Sequence, residues 1–368
     1  MHRFAFVLEQ TLGHVAHGRN LERAIAADPD VEPSVIRVDF AAAAGIQRLP
    51  GLRTWSWRAS GMARDALAER LRHGPLDAIF IHTQVAALLA TQIMRSVPTV
   101  VSLDATPSIF DRVGDAYGHH RSPDVIELVK QRFNVRAFAS AARLVTWCRW
   151  AESSLISDYG MPAGKIDVIP PGVDLELFRP TELRKKSTPV RLLFVGGQFE
   201  RKGGLELLEA ARGLGDTVEL DLVTGSETVN IPAGMRATVH RGLKPQSDKL
   251  VQLYRSADIF VLPSRGDCMP QAVPEALACG LPVVATSVGA MAEMVAEGVN
   301  GYLVPPRDPR GLAAAIASLV NSPERRHVMG QASVATARQD HDAMRNNGRI
   351  LGVLKRLAAA RIDAAQPA

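Results

Sequence analysis

Cysteine is scarce: there are 3 in 368 residues, Cys148, Cys268 and Cys279. The number is odd and no pair has metal-ligand or redox spacing, which excludes a disulfide framework and a thiolate metal centre as organising devices. A reduced, cytosolic setting is the expectation. Aromatic residues make up 5% of the chain and the arginines are dispersed, so the stacking platform of a single-stranded nucleic-acid binder is missing. No run is long and apolar enough to span a bilayer. The N-terminal MHRFAFVLEQ has an apolar run cut short by Glu9, unlike a signal peptide. A full G-x-G-x-x-G dinucleotide fingerprint is absent, and the spacing of His119 and His120 fits no metal site. No metal is expected.

What is present is a large, ordinary core. The chain is 46% hydrophobic and 22% charged, a soluble composition, and its length predicts two domains. A net charge of +5 suits an anionic partner, whether a nucleotide-linked substrate, a membrane surface or nucleic acid, without choosing among them. Phe4–Leu8 reads as a buried strand, followed by a turn at Gly13 and a helix from Val15 to Ala26. This is the first strand–helix unit of a doubly wound domain. The backbone at Gly13 can approach a ligand and the helix start favours anions, so Gly13 and His14 are candidate contacts. A plain turn is the alternative, with His17 read as a surface histidine.

Val35–Phe40 is the second expected strand. After it, Trp55 and Trp57 lie among Arg48, Arg53, Arg58 and Arg64. Either this stretch meets an anionic bilayer surface, or it is a loop and an amphipathic helix turning Met62, Leu67 and Leu71 to the core. Ala78–His82 and Thr99–Leu103 read as buried strands. Asp104 then sits at a strand's carboxyl end, where doubly wound domains place functional groups. It could equally cap a turn. Asp115, Tyr117, His119 and His120 mark a lid or acceptor loop, and Val125–Ser140 has helical periodicity.

The second half starts the pattern again. Arg191–Gly197 is a strand ending in glycines, and Arg201 and Lys202 precede a helix from Leu205 to Leu214. Two cations after a glycine turn, at a helix N-terminus, suit a diphosphate. Glu219 and Asp221 alternate along a strand. They could hold a metal, but a solvated strand face is favoured. Ile259–Leu262 is a strand that ends at Pro263. A loop carrying Arg265, Gly266 and Asp267 follows, then a helix from Gln271 to Cys279 closed by Gly280, then a strand from Pro282 to Thr286. Asp267 and Glu275 therefore stand at the ligand end of a parallel sheet. Cys268 reads as a small residue in a tight loop, since no base stands by to activate it.

ADIFVLPS, the Asp267-x7-Glu275 pair, ALACGLPVVAT and GYLVPP together resemble the donor-site signature of family-4 retaining glycosyltransferases. IPPGVDLELFRP resembles that family's interdomain segment, and FVGGQFERKGG its diphosphate-binding turn. The resemblance implies an α/β chain of GT-B fold, two Rossmann-like doubly wound domains facing across a cleft. Residues 1–178 would form the acceptor domain and 188–340 the nucleotide-sugar donor domain, with 341–368 a helix crossing back to the first. It implies that Arg201 and Lys202 neutralise the diphosphate, that Asp267 meets sugar hydroxyls and that Glu275 binds the ribose. The backbone of Cys268, Met269, Pro270 and Gln271 would hold sugar and phosphate, with Gly13, His14 and Gly197 completing the donor contacts. Asp104 joins Arg201, Lys202 and Asp267 as a catalytic candidate.

Four positions depart from the family pattern. Asp267 stands where Glu is usual. CMPQAV, with Pro270, replaces a small apolar stretch. Gly197 and Gln198 occupy the place where an Arg often follows the glycine. Leu103-Asp104 stands where many members carry a His. The expected activity is transfer of a sugar from a nucleotide diphosphate sugar to an acceptor hydroxyl, with retention, in cell-surface glycan or glycolipid synthesis. The acceptor would be a glycan, a lipid-linked sugar or a small molecule, with no cofactor and no nucleic acid. The setting would be cytoplasmic, with peripheral contact at the inner face of the membrane as a further option. The alternatives are a nucleotide-sugar-binding protein without transferase activity, and a phosphorylase or epimerase of the same fold.

Overall fold

The computed structural model describes residues 1–10, 13–39, 55–114, 123–180 and 188–365. The chain forms two compact units. Gly172–Asp342 belongs to the second, while the first holds Met1–Phe110, His120–Pro171 and Ala343–Ala368.

The first unit is a six-stranded parallel sheet of β1 (His2–Glu9), β2 (Val31–Val38), β3 (Ala78–His82), β4 (Thr99–Leu103), β5 (Arg143–Thr146) and β6 (Ile166–Val168). The strands lie in the order β2-β1-β3-β4-β5-β6. Alternate residues of β1 serve opposite faces, as strand geometry requires. Phe4, Phe6 and Leu8 join one core cluster, and Ala5 and Val7 join the other. Both faces must therefore be covered. Helices α1 (His14–Ala26), α2 (Trp55–Arg72), α3 (Asp124–Ser140) and α4 (Arg149–Ser157) do much of this. β2 is an edge strand, the position in a sheet where a proline such as Pro33 is tolerated.

Some expectations about these helices fail. In α2 Leu67 is buried and Leu71 packs on the core, but Met62 is 43% exposed. Five residues of helix separate Met62 from Leu67, which rotates it well off the buried stripe. In α3 burial begins only at Asn134, while Val125, Ile126, Leu128 and Val129 are exposed. His17 is not a surface residue but is fully enclosed.

The second unit is a six-stranded parallel sheet of β7 (Val190–Val195), β8 (Val218–Val223), β9 (Ala237–His240), β10 (Ile259–Leu262), β11 (Val283–Thr286) and β12 (Gly301–Val304), in the order β12-β11-β10-β7-β8-β9. The helices are α5 (Gly204–Arg212), α6 (Asp248–Ser256), α7 (Ala272–Ala278), α8 (Pro309–Val320) and α9 (Pro323–Asp340). α7 ends where Gly280 adopts φ +71°, the left-handed exit that glycine permits. The last helix, α10 (Ala343–Ala365), packs against α1, and Lys355 reaches Asp28 at 2.8 Å and Asp30 at 3.1 Å.

Strand order reverses between β1 and β3 in the first sheet and between β7 and β10 in the second. These are the topological switch points, where the loops leaving adjacent strands part in opposite directions and open a crevice.

Candidate functional site

At the second switch point, β7 gives way to the turn Gly196–Gly203. Lys202 N donates to Gln198 O at 3.0 Å and Gly203 N to Glu200 O at 3.0 Å, which winds the turn tightly. Gly203 has φ +82°, and a Cβ there would lie 1.9 Å from Pro263 O. The turn is thus laid directly on the end of β10. Arg265 N donates to Arg201 O at 2.9 Å and the Arg201 guanidinium to Gly266 O at 2.9 Å, stitching the two loops together. Lys202 and Asp267 form an ion pair whose side chains are 14% and 8% exposed. Arg265 pairs with Glu206 at 2.7 Å.

Of the two glycines that follow β7, the constrained one is Gly196, not Gly197. A Cβ on Gly196 would stand 2.7 Å from Lys202 Cβ, whereas Gly197 has open space. The third wall is the loop after β11, where Ala290 N donates to Cys268 O at 2.9 Å. Gly289 has φ +57°, and a Cβ there would meet Asp267 O at 2.0 Å. Cys268 and Met269 are buried in the loop after β10. Pro270 has no N–H, so the loop's amide donors are limited to its neighbours, Gln271 among them.

Glu275 lies in the first turn of α7 and is enclosed; burial pushes its carboxyl up to about 7, and the Tyr254 hydroxyl beside it opposes that shift. Burial drives the Tyr254 phenol well above its ordinary range. A protonated or half-protonated Glu275 can donate as well as accept, which suits a diol. Cations on a glycine turn, the N-terminus of α5 and this carboxyl together make a surface for an anionic, hydroxyl-bearing ligand.

The first switch point is made of other material. Glu9 ends β1, His82 ends β3, Asp104 follows β4 and Trp147 follows β5. α1 adds His14 and His17. His14 Nδ1 lies 2.8 Å from His82 Nε2, and His14 Nε2 lies 3.9 Å from Glu9 Oε1 and 4.0 Å from Asp104 Oδ2. The His82 ring stacks on Trp147 at 5.2 Å, and His17 packs on both, at 5.0 and 5.1 Å. Burial lowers the His17 imidazole to about 3, with the nearby His14 adding to the effect. Burial likewise holds His82 well below its usual value, with smaller contributions from His14 and His17. Gly13 has φ −66°, so the turn does not use the conformational freedom of glycine.

The candidates therefore divide between the units. Arg201, Lys202, Asp267, Cys268, Met269, Pro270, Gln271 and Glu275 gather at the second switch point with Gly197, while Gly13, His14 and Asp104 lie at the first. Asp115, Tyr117, His119, His120, Arg48 and Arg53 fall outside the described residues. Glu9, His82, Thr83 and Trp147 were not singled out from sequence. The signal that could have found them is position, because each stands at or just after the last residue of an apolar strand. Asp221 is not on a solvated face either. It is buried and meets His240 at 2.7 Å, because β8 lies inside the sheet beside β9. Among the described residues no group of His, Cys, Asp and Glu could hold a metal ion.

Two doubly wound parallel units, one with a cationic glycine turn at its switch point, define the two-domain Rossmann-like class to which GT-B glycosyltransferases belong. The chain itself is a member of the group 1, family-4 glycosyltransferases: residues 15–177 match glycosyltransferase family 4 and residues 182–322 match glycosyl transferases group 1. It is 30% identical over 288 residues to the D-inositol 3-phosphate glycosyltransferase of Paenarthrobacter aurescens, covering 72% of this chain and 69% of that protein. Some relatives of the same name match over shorter spans, such as the one from Geodermatophilus obscurus, 36% identical over 50% of this chain and 46% of its own. Among solved structures, sucrose-phosphate synthase from Thermosynechococcus elongatus superposes with TM-score 0.77 at 18% identity, over 98% of this chain and 100% of that one. Anabaena HepE in complex with UDP gives 0.68 at 18% identity, over 97% and 100%. No described helix is long and apolar enough to cross a membrane.

Proposed function

We propose that the protein transfers a sugar from a nucleoside diphosphate sugar to a hydroxyl of a small polyol acceptor, with retention at the anomeric carbon. The observation that carries the donor half is the turn Gly196–Gly203, pinned on β10 so that Arg201 and Lys202 stand beside Asp267 and the N-terminus of α5. Breaking the bond to the diphosphate builds negative charge on the leaving group, and fixed cations stabilise that charge without reorganising. Arg201 and Lys202 supply it from the protein, so no metal is assigned to the step. Because Lys202 is paired with Asp267 before the donor arrives, the diphosphate replaces or joins an existing carboxylate partner. The cost of that exchange is lower than that of desolvating a bare ammonium. Glu275 takes the ribose hydroxyls. HepE, a relative in fold, binds UDP, which favours a uridine donor as the first to test.

The acceptor reading departs from a cell-surface glycan. A relative that matches over most of the chain is named for D-inositol 3-phosphate, which makes a small cyclic polyol, free or phosphorylated, the favoured acceptor class. The test is a transfer assay of UDP-glucose with myo-inositol and D-inositol 3-phosphate, with the anomeric configuration of the product read by NMR. Product of the donor's own configuration supports the reading. Transfer to neither, with UDP-glucose bound, would return the choice to a binding protein or to other chemistry on this fold.

A further inference from the structure

His14 is held as a fixed hydrogen-bonding group, and nothing in the donor reading uses it. Its Nδ1 is engaged by His82 Nε2 at 2.8 Å. His82 is itself clamped, with one ring stacked at 5.2 Å (Trp147) and another at 6.4 Å (Phe80). On the other side, Nε2 faces two carboxylates, Glu9 Oε1 at 3.9 Å and Asp104 Oδ2 at 4.0 Å. The Thr83 hydroxyl donates to Glu9 Oε2 at 2.8 Å, which turns Oε1 towards His14. The His14 and Asp104 side chains keep 14% and 26% of their surface exposed, so a ligand can reach them.

The separation of His14 Nε2 from Asp104 is too long for a direct hydrogen bond and is the span one oxygen bridges. A hydroxyl oxygen about 2.8 Å from both atoms subtends an angle of about 90° between them, near what a hydroxyl prefers. Two carboxylates beside Nε2 favour the tautomer with its proton there, leaving Nδ1 to accept from His82. Nε2–H then donates to the hydroxyl oxygen and Asp104 accepts the hydroxyl's hydrogen. A carboxylate pair repels a phosphate at this point, so the group seated here is a hydroxyl and any phosphate on the acceptor lies away from it.

We infer that the gap between His14 Nε2 and Asp104 Oδ2 is the seat of the acceptor's reacting hydroxyl, a polyol hydroxyl, with His82 and Glu9 as positioning residues for His14. The inference rests on the transferase reading above and assigns His14 to the acceptor, not the donor. The imidazole comes from α1, which follows β1, two strands away from β4 in the sheet.

The test is a titration of the full chain, labelled with 15N in its histidines, against myo-inositol, reading the imidazole nitrogens by NMR. The expected result is a saturable shift of His14 Nε2 in the wild type, at least about tenfold weaker in Asp104→Ala. UDP should leave this resonance in place while binding wild type and variant alike. His82→Phe should abolish the difference between the two His14 nitrogens as their exchange is freed, and His82→Asn should restore part of it. A wild-type His14 indifferent to myo-inositol, a titration unchanged in Asp104→Ala, or a His14 resonance that follows UDP would each overturn the inference. Failure of UDP to bind the wild type would instead strike the donor reading, and the myo-inositol titration would still decide this one.

Discussion

The two switch points are built from opposite materials. In the second unit, glycines let the backbone of one loop lie on another, and the side chains that matter are cations at the surface of that contact. In the first, imidazoles and an indole are packed as a core, and only His14 and Asp104 reach outward from it. One site is shaped by backbone proximity, the other by side-chain packing. The difference fits the two tasks proposed for them. A diphosphate needs charge and N–H groups, while a hydroxyl needs one donor and one acceptor at a fixed spacing.

The sharpest break of this comparison is Lys202→Ala. If the second switch point carries the leaving group, turnover falls about 100- to 1000-fold, the usual loss for one preorganised charge-stabilising group. Myo-inositol binding at His14 should not change. Equal loss at both sites would mean that the turn holds the fold and not the charge.

The regions should also respond to pH in opposite directions. Glu275 has its carboxyl raised to about 7 by burial. The folded state holds the proton more tightly than the unfolded chain, so that advantage is complete below pH 4.5 and is lost as pH rises through 7. The whole loss is about 3 kcal/mol at 1.4 kcal/mol per unit. Glu275→Gln should therefore flatten the decline between pH 4.5 and 7.5 in calorimetric scans. An unchanged slope would show that Glu275 ionises freely.

His17 runs the other way. Its imidazole is lowered to about 3 by burial, so the folded unit is at full strength above pH 6.5 and weakens as pH falls below it. By pH 5 the loss is about 2 kcal/mol. All four tryptophans, Trp55, Trp57, Trp147 and Trp150, belong to the first unit. Their fluorescence in urea thus reports that unit alone. His17→Phe should lose less stability than the wild type between pH 8 and pH 5, the remaining fall belonging to buried His82, and a parallel fall of variant and wild type would exclude His17 as a source.

The second switch point was largely legible in sequence because its chemistry is local. Gly196 to Gly204 and Asp267 to Glu275 are each one short stretch, and glycine, cation and acid sit at readable spacings. The first was not, because Glu9, His14, His82, Asp104 and Trp147 come from four strand ends and a helix, and only the sheet order β1-β3-β4-β5 brings them together. A lone histidine ending an apolar strand looks like any other. Strand and helix types were readable from apolar runs, as at β3 and β10. Facing was harder: α3 has apolar residues at helical intervals, yet its first two turns leave Val125, Ile126, Leu128 and Val129 exposed.

The smallest effect separates two adjacent glycines and tests whether backbone proximity shapes the second site. A methyl group on Gly196 would press on Lys202 Cβ at 2.7 Å, Lys202 Cγ at 2.8 Å and the Phe194 ring at 2.9 Å. The Cβ is bonded to the backbone of the turn and cannot swing aside, so the turn must open. A methyl group on Gly197 meets nothing within 4 Å. Gly196→Ala should cost about 1–3 kcal/mol, the range for overpacking, and should weaken UDP binding by displacing Lys202. Gly197→Ala should be neutral or stabilise by up to about 1 kcal/mol, since it restricts the unfolded chain without straining the fold. If the two variants unfold alike in calorimetry and bind UDP alike, Lys202 is not set by close packing on β7. The contrast with the first unit would then reduce to charge alone.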